Sequence, residues 1–331
     1  MKLPVALLGA TGPVGQKVIS LLENHPLFTL AELAASEGRI GKRYGDIVAW
    51  KNELPLPASV AAMEMRSLLE VQSRLVISAL PSDIALEVEP ALAARGCIVS
   101  SNASAFRMQS NVPLLIPEVN AAHLSLLNKQ STSGRIVTNP NCSTVFLACA
   151  LAPLQALGEI EHLSVVTMQA LSGAGYPGVS SFDLLGNVIP HIGGEEAKIQ
   201  EEVKKILGAP EKEASFPVTV HVHRVPVLHG HTVATHVRFR KAVSVDQVNA
   251  QFHQWQERFP GLFELHTAID RPQPLRDLNP HDMRVHIGRV KQGGDAQTVG
   301  LISMGHNLIR GAAGAAIANL ESTLRFLGEL K

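Results

Sequence analysis

The chain has 331 residues, 46% hydrophobic and 18% charged, which is length for about two domains with their own cores and too apolar a composition for a disordered chain. Its 29 basic and 29 acidic residues cancel, so no overall field argues for nucleic acid or an anionic membrane, and small-molecule chemistry is expected. Cys97, Cys142 and Cys149 are odd in number and lack paired spacing, which argues against a disulfide framework and for a reducing compartment, the cytoplasm by default. No apolar run of about 20 residues could span a bilayer, and Met1-Lys2-Leu3-Pro4 leads into a strand without a leader pattern, so no targeting segment is expected.

The chain opens with the apolar strand Val5-Ala6-Leu7-Leu8, the turn Gly9-Ala10-Thr11-Gly12-Pro13-Val14-Gly15, and an amphipathic helix over 16–24. Strand, glycine turn and helix in that order let backbone approach a pyrophosphate closely at a helix N-terminus. A second strand, 29–35, ends in Ser36-Glu37-Gly38-Arg39, about 20 residues past the turn, where an acidic residue would hold a ribose hydroxyl. A hydroxyl and a guanidinium suit a 2′-phosphate there, so the pattern leans to NADP over NAD; an ordinary solvated loop is the other reading of Arg39 and Lys42. Strands at 75–79 and 97–99 flank a helix over 84–95, and this alternation predicts a parallel, doubly wound sheet. Ser78 to Ser82 and Ser101 to Arg107 are polar strand exits at the edge where such sheets bind ligands, and Arg107 is a candidate anion ligand.

Thr138-Asn139-Pro140-Asn141-Cys142-Ser143-Thr144, followed by the largely apolar run 145–157, reads as a loop entering a helix with Cys142 at its N-terminus. Unpaired N–H groups and the helix dipole favour a thiolate there and can stabilise an oxyanion. A small buried apolar residue is the alternative for Cys142, and the expected place of Cys149, two turns on.

Beyond it, 165–170 reads as a strand leading into Leu171-Ser172-Gly173-Ala174-Gly175-Tyr176-Pro177-Gly178, where backbone packs on a ligand or forms a surface loop. Runs at 218–222, 234–240, 284–290 and 298–302 predict an α+β half with a mixed or antiparallel sheet. The segment 307–330 reads as one long helix, and 110–120 and 128–135 read as loops between the halves. His221, His223, His229 and His231 crowd one strand and turn, but no Cys or carboxylate at ligand spacing completes a zinc site, and no metal is expected.

Six motifs in order, namely the glycine turn, Ser101-Asn-Ala-Ser-Ala-Phe-Arg107, Asn139-Pro-Asn-Cys142, Gln169-Ala-Leu-Ser-Gly-Ala-Gly175, Glu195-x-x-Lys198 and Arg224-x-Pro-Val-x-x-x-His231, resemble the aspartate-semialdehyde dehydrogenase family over the whole chain, closest to its archaeal and fungal branch. The resemblance implies a Rossmann-like domain over 1–138, completed by a C-terminal helix at 307–331, and an α+β catalytic and dimerisation domain over 139–306. It implies NADPH-dependent conversion of L-4-aspartyl phosphate to L-aspartate 4-semialdehyde, in biosynthesis of lysine, threonine, methionine and isoleucine, by a homodimer or homotetramer. Cys142 would be the nucleophile, Gln169 would orient substrate, His231 would be acid/base, and Asn141 with the Cys142 N–H would form an oxyanion hole. Arg224 and Glu195 would hold the α-carboxylate and α-amino group, and Arg107 and Lys198 the phosphate. Gly9, Thr11, Gly12, Pro13, Val14, Gly15, Ser36, Arg39, Ser172, Gly173 and Asn307 would touch the cofactor. The rivals are an acyl reductase for another donor, such as malonyl-CoA or N-acetylglutamyl phosphate, and a non-catalytic dinucleotide-binding protein. Glu195, Lys198 and Arg224 together favour the amino-acid phosphate, and Cys142, Gln169 and His231 together disfavour the silent protein.

Overall fold

The computed structural model describes residues 2–330. The chain divides into two compact units, one comprising Met1–Pro117, Ala121–Pro140 and Ala312–Lys331, the other Glu118–Asn120 and Asn141–Gly311. Helices of ten residues or more are numbered α1 to α6.

The first unit is built on β1 (Leu3–Leu8), α1 (Pro13–Leu22), β2 (Phe28–Ala35), β3 (Met65–Ser67), β4 (Leu75–Ser78), α2 (Ser82–Ala94), β5 (Ile98–Ser101) and β6 (Arg135–Thr138). Its six strands are all parallel in the order β3-β2-β1-β4-β5-β6. Side chains alternate across a strand, so Val5 and Leu7 enter one core with Leu33 and Ile77, while Ala6 and Leu8 enter another with Ala34 and Val76. Both faces are therefore buried, which explains why these strands read as unbroken apolar runs. Strand order reverses between β1 and β4, and a ligand crevice opens outside the carboxyl ends at such a point.

The second unit carries α3 (Cys142–Leu151), β7 (Ile160–Gln169), α4 (Glu195–Leu207), β8 (Val218–Arg224), β9 (His231–Phe239), α5 (Val245–Arg258), β10 (Phe263–Leu265), β11 (Val285–Gln292) and β12 (Thr298–Gly305). Its sheet order is β10-β11-β12-β9-β7-β8, mixed, with β7/β8 and β10/β11 parallel and the remaining pairs antiparallel. Along β7 and β9 buried residues mostly alternate with more accessible ones, so one face is covered and the other open. The nearly all-apolar α3 packs against α4, β9 and β12 and is buried from Ser143 to Leu151.

α6 (Gly314–Phe326) completes the first unit, packing Ala316, Ile317, Leu320 and Leu324 beside Val18 and Ile19 of α1. It is shorter than the helix expected over 307–330, because Ile309–Ala313 forms a π-helical turn ahead of it. That turn holds Arg310, whose guanidinium donates to both carboxylate oxygens of Glu118 at 2.9 and 3.0 Å, drawing Glu118–Asn120 into the second unit. The helix expected over 142–157 likewise stops at Leu151, since Pro153 cannot continue it, and passes to a 3₁₀ turn, Pro153–Leu157. The span 110–120 ends in a single helical turn, Pro117–Asn120, and 128–135 leads directly into β6.

Candidate active site

Cys142 is the first residue of α3, and the chain is turned into that helix by Asn141, whose Oδ1 accepts the Ser143 N–H at 3.0 Å as a side-chain cap. Cys142 is partly exposed on a cavity of about 380 Å³ also lined by Asn141, Gln169, Gly173, His191, Glu195 and Arg224. That is room for a small polar metabolite.

Glu195, at the start of α4, joins much of this site. Its Oε2 accepts from the Asn141 amide at 2.6 Å and from the Gln169 amide at 3.5 Å, while Oε1 accepts from Lys198 at 3.1 Å. The i, i+3 spacing therefore makes an ion pair at the site, with Glu195 largely buried and Lys198 40% exposed. Arg224 ends β8 and Gln169 ends β7, and the two are register partners in adjacent parallel strands, which is why residues so far apart in sequence reach one cavity. The Arg224 guanidinium donates to the Ala170 carbonyl at 2.6 Å; burial lowers its pKa, opposed by the neighbouring Cys142 and Glu195.

His231 opens β9 and is fully buried. Its Nδ1 accepts the Ala170 N–H at 2.9 Å, so a neutral ring carries its proton on Nε2, an atom with no hydrogen-bond partner. Burial, reinforced by Arg224 and then His306, holds its pKa down to about 3. Gly173 lies against both groups: a Cβ there would come within 2.9 Å of His231 Nε2 and 3.0 Å of Arg224 Nη1. Ser172 and Asn307 also meet, the Asn307 amide donating to the Ser172 hydroxyl at 2.9 Å, with His229 Nδ1 3.0 Å from that hydroxyl.

Two residues absent from the sequence reading belong to this site. Glu202 of α4 accepts the Asn141 backbone N–H at 2.6 Å, and Gly311 lies so close to Cys142 that a Cβ on it would stand 2.7 Å from the Cys142 Cβ. Glu202 follows Glu195 by two helical turns, a spacing that could have flagged it; nothing local marks Gly311. Cys149 is fully buried, 3.5 Å from Arg310, and burial pushes its thiol pKa up, which makes it a core residue. The clustered histidines go separate ways: His221 stands 4.0 Å from Glu196 and His223 Nδ1 3.2 Å from the Thr167 carbonyl. Among the described residues no group of three His, Cys, Asp or Glu side chains could hold a metal ion, and no helix is long and apolar enough to cross a membrane.

In the first unit the glycine turn is packed to backbone distance. A Cβ on Gly9, at φ 76°, would meet the Ala79 carbonyl at 2.5 Å, and one on Gly15 the Gly9 carbonyl at 2.5 Å, whereas Gly12 has only the Gly9 carbonyl oxygen near, at 3.7 Å. Pro13 and Val14 begin α1, which has no side-chain cap, so its first N–H groups remain for a ligand, and these residues fit a pyrophosphate. Arg39, exposed at the exit of β2 beside Ser36, donates to the Thr11 hydroxyl across the turn. Arg107, also in the first unit, is buried and donates to the Asn102 carbonyl at 2.8 Å.

Residues 4–127 match the model described as semialdehyde dehydrogenase, NAD binding domain, and residues 151–310 match semialdehyde dehydrogenase, dimerisation domain. The chain is 46% identical to aspartate-semialdehyde dehydrogenase of Archaeoglobus fulgidus, covering 98% of this chain and 99% of that protein. The chain belongs to the aspartate-semialdehyde dehydrogenase family. A fungal member from Trichophyton rubrum is 37% identical over 96% of each chain. Aspartate-semialdehyde dehydrogenase of Candida albicans, solved with NADP, superposes with a TM-score of 0.87 at 31% identity over the full length of both chains. The family is one of oxidoreductases, its first domain binds a nicotinamide dinucleotide, and its second is a dimerisation domain.

Proposed function

We propose that the chain converts L-4-aspartyl phosphate to L-aspartate 4-semialdehyde and phosphate with NADPH, through a thioester on Cys142. The observation that carries this reading is one cavity holding a cysteine at a helix N-terminus together with a buried guanidinium, Arg224, and a largely buried carboxylate, Glu195. A zwitterionic amino acid needs one cation and one anion at fixed separation, and a guanidinium grips a carboxylate through two parallel hydrogen bonds. Malonyl-CoA and N-acetylglutamyl phosphate carry no ammonium for Glu195.

Arg224 holds the α-carboxylate, Glu195 the α-ammonium, and Gln169 orients the acyl carbon. The Cys142 thiolate attacks that carbon, forming the S–C bond and releasing phosphate, the group that the resemblance assigns to Arg107 and to Lys198. The Cys142 N–H and the Asn141 amide face the oxyanion. In the first unit the glycine turn, with Ser36 and Arg39 for a 2′-phosphate, would hold NADPH, which would supply the hydride; Ser172, Gly173 and Asn307 of the second unit are the further contacts that the resemblance assigns. The acid/base role expected of His231 narrows, because Nδ1 is occupied and the ring is neutral, to a hydrogen bond from Nε2–H to the oxygen that gains charge as the thioester is reduced; the hemithioacetal oxyanion then collapses, re-forming C=O, breaking the C–S bond and freeing the aldehyde and the Cys142 thiolate. The open sheet face of the second unit supports assembly as a homodimer or homotetramer, and cysteines outside any disulfide suit the cytoplasm.

Phosphate-dependent NADP reduction with aspartate semialdehyde tests the reading, against NAD and against the other acyl donors. Arg224→Lys keeps charge but loses the planar fork, and should weaken semialdehyde use on the order of 10-fold at any phosphate concentration. Lys198→Ala and Arg107→Ala should instead raise the KM for phosphate, with excess phosphate restoring part of the rate. A Lys198→Ala change confined to the KM for semialdehyde would move Lys198 to the amino-acid end.

A further inference from the structure

Glu202 lies on α4 seven residues beyond Glu195, two turns along the same face, with 1% of its surface exposed. Its Oε2 accepts the backbone N–H of Asn141, the cap residue immediately before Cys142. In a capping box that N–H is taken by a Glu or Gln three positions into the same helix, while the cap side chain satisfies an N–H of the first turn. α3 has the second half, through Asn141 Oδ1 and the Ser143 N–H, but its third residue is Thr144, a buried side chain whose hydroxyl has no partner. Glu202 supplies the missing acceptor from the neighbouring helix. The same Asn141 is gripped a second time from α4, because its amide donates to Glu195. Two carboxylates on one face of α4 thus hold the backbone and the side chain of the residue from which Cys142 projects.

We propose that Glu202 is a positioning residue for Cys142: by holding the Asn141 N–H it fixes the first turn of α3 and the direction in which the thiol enters the cavity. The inference rests on Cys142 being the nucleophile. It separates hydrogen bonding from charge, since Glu202→Gln keeps an acceptor oxygen at the same reach, whereas Glu202→Ala and the volume-preserving Glu202→Met have none.

The experiment is steady-state kinetics of the full-length enzyme with aspartate semialdehyde, phosphate and NADP, at a temperature where circular dichroism shows every variant folded. Cys142→Ser is run alongside. Glu202→Ala and Glu202→Met should lose about 100-fold in kcat, the scale of a misplaced reacting group, with KM for both substrates within about 2-fold. Glu202→Gln should recover to within about 5-fold of wild type. Met guards against a cavity left by Ala; should neither fold, a loss of more than 5-fold in Gln counts against the proposal and a smaller one supports it. Wild-type kcat in Ala or Met while Cys142→Ser is dead would overturn the proposal alone, as would a Gln variant no better than Met. Full turnover in Cys142→Ser would instead overturn the nucleophile reading itself.

Discussion

Two helix N-termini in this molecule follow a strand and a proline-bearing loop, and they are finished in opposite ways. α1 begins at Gly12-Pro13 with no side-chain cap and open space over Gly12, so its unpaired N–H groups remain for an anion that arrives from outside. α3 begins at Asn141-Cys142 with the cap residue bonded on three sides, to Ser143, Glu195 and Glu202, so the residue ahead of Cys142 is held in place by the protein itself. An open N-terminus binds a ligand; a closed one holds a side chain at a fixed angle. On the proposed function, backbone geometry that looks alike in sequence serves recognition in one place and chemistry in the other.

The nucleophile at the start of α3 is the most sensitive position. Cys142→Ser should fold with a near-native Tm yet lose on the order of 1000-fold or more in turnover, because a hydroxyl is far less ionised than a thiol. Cys149→Ser, in the core beside Arg310, should keep the chemical rate and change only stability. Equal activity loss in both would remove the distinction between them.

A pair of glycine substitutions sharpens the contrast. Gly311→Ala presses a methyl into the Cys142 Cβ and should cost about 100-fold in kcat. Gly12→Ala meets nothing closer than 3.7 Å, so stability should change by less than about 0.5 kcal/mol while the methyl stands where the pyrophosphate binds, raising the KM for cofactor. Swapped outcomes in kinetics would show that the two helix ends have been assigned in reverse.

At the open end, Arg39→Ala removes a charge-assisted contact worth about 1.5–3 kcal/mol, so the KM for NADP should rise at least about 10-fold while that for NAD barely moves. An unchanged preference would pass the 2′-phosphate to Lys42.

Both helix ends were legible in sequence to the extent that their signals are local. Gly9 to Gly15 and Asn139 to Cys142 are contiguous, and Glu195 and Lys198 are one turn apart, so residue type and spacing carry them. Glu202 lies 61 residues from the N–H it holds, and Gly311 meets Cys142 only because a π-helical turn brings it there, so no window of sequence contains either contact. β3 and β10 have three residues each, too few for a pattern of alternation. α5 is different: Ser244 and Gln247 form a capping box, a signal present in a four-residue window of the sequence.

His231 gives the stability of the fold a pH dependence. Its pKa is about 3 in the folded protein against 6.5 for an ordinary histidine, so below about pH 6.5 the unfolded chain binds a proton that the folded chain refuses. The contribution is whole above that pH and is lost as pH falls toward 3, at up to about 1.4 kcal/mol per pH unit. In denaturant melts, His231→Asn should lower the dependence of stability on pH by one proton between pH 6 and 4. An identical slope would mean that the ring is protonated in the folded state, which would restore it as a full acid/base.

The most direct measurement is mass spectrometry of the acyl-enzyme, trapped by mixing the protein with aspartate semialdehyde and NADP in the absence of phosphate and quenching in acid. One aspartyl group per chain is expected, on the peptide containing Cys142, discharged when phosphate is added before the quench. An unmodified Cys142 with turnover intact, or an acyl group on any other residue, would contradict it.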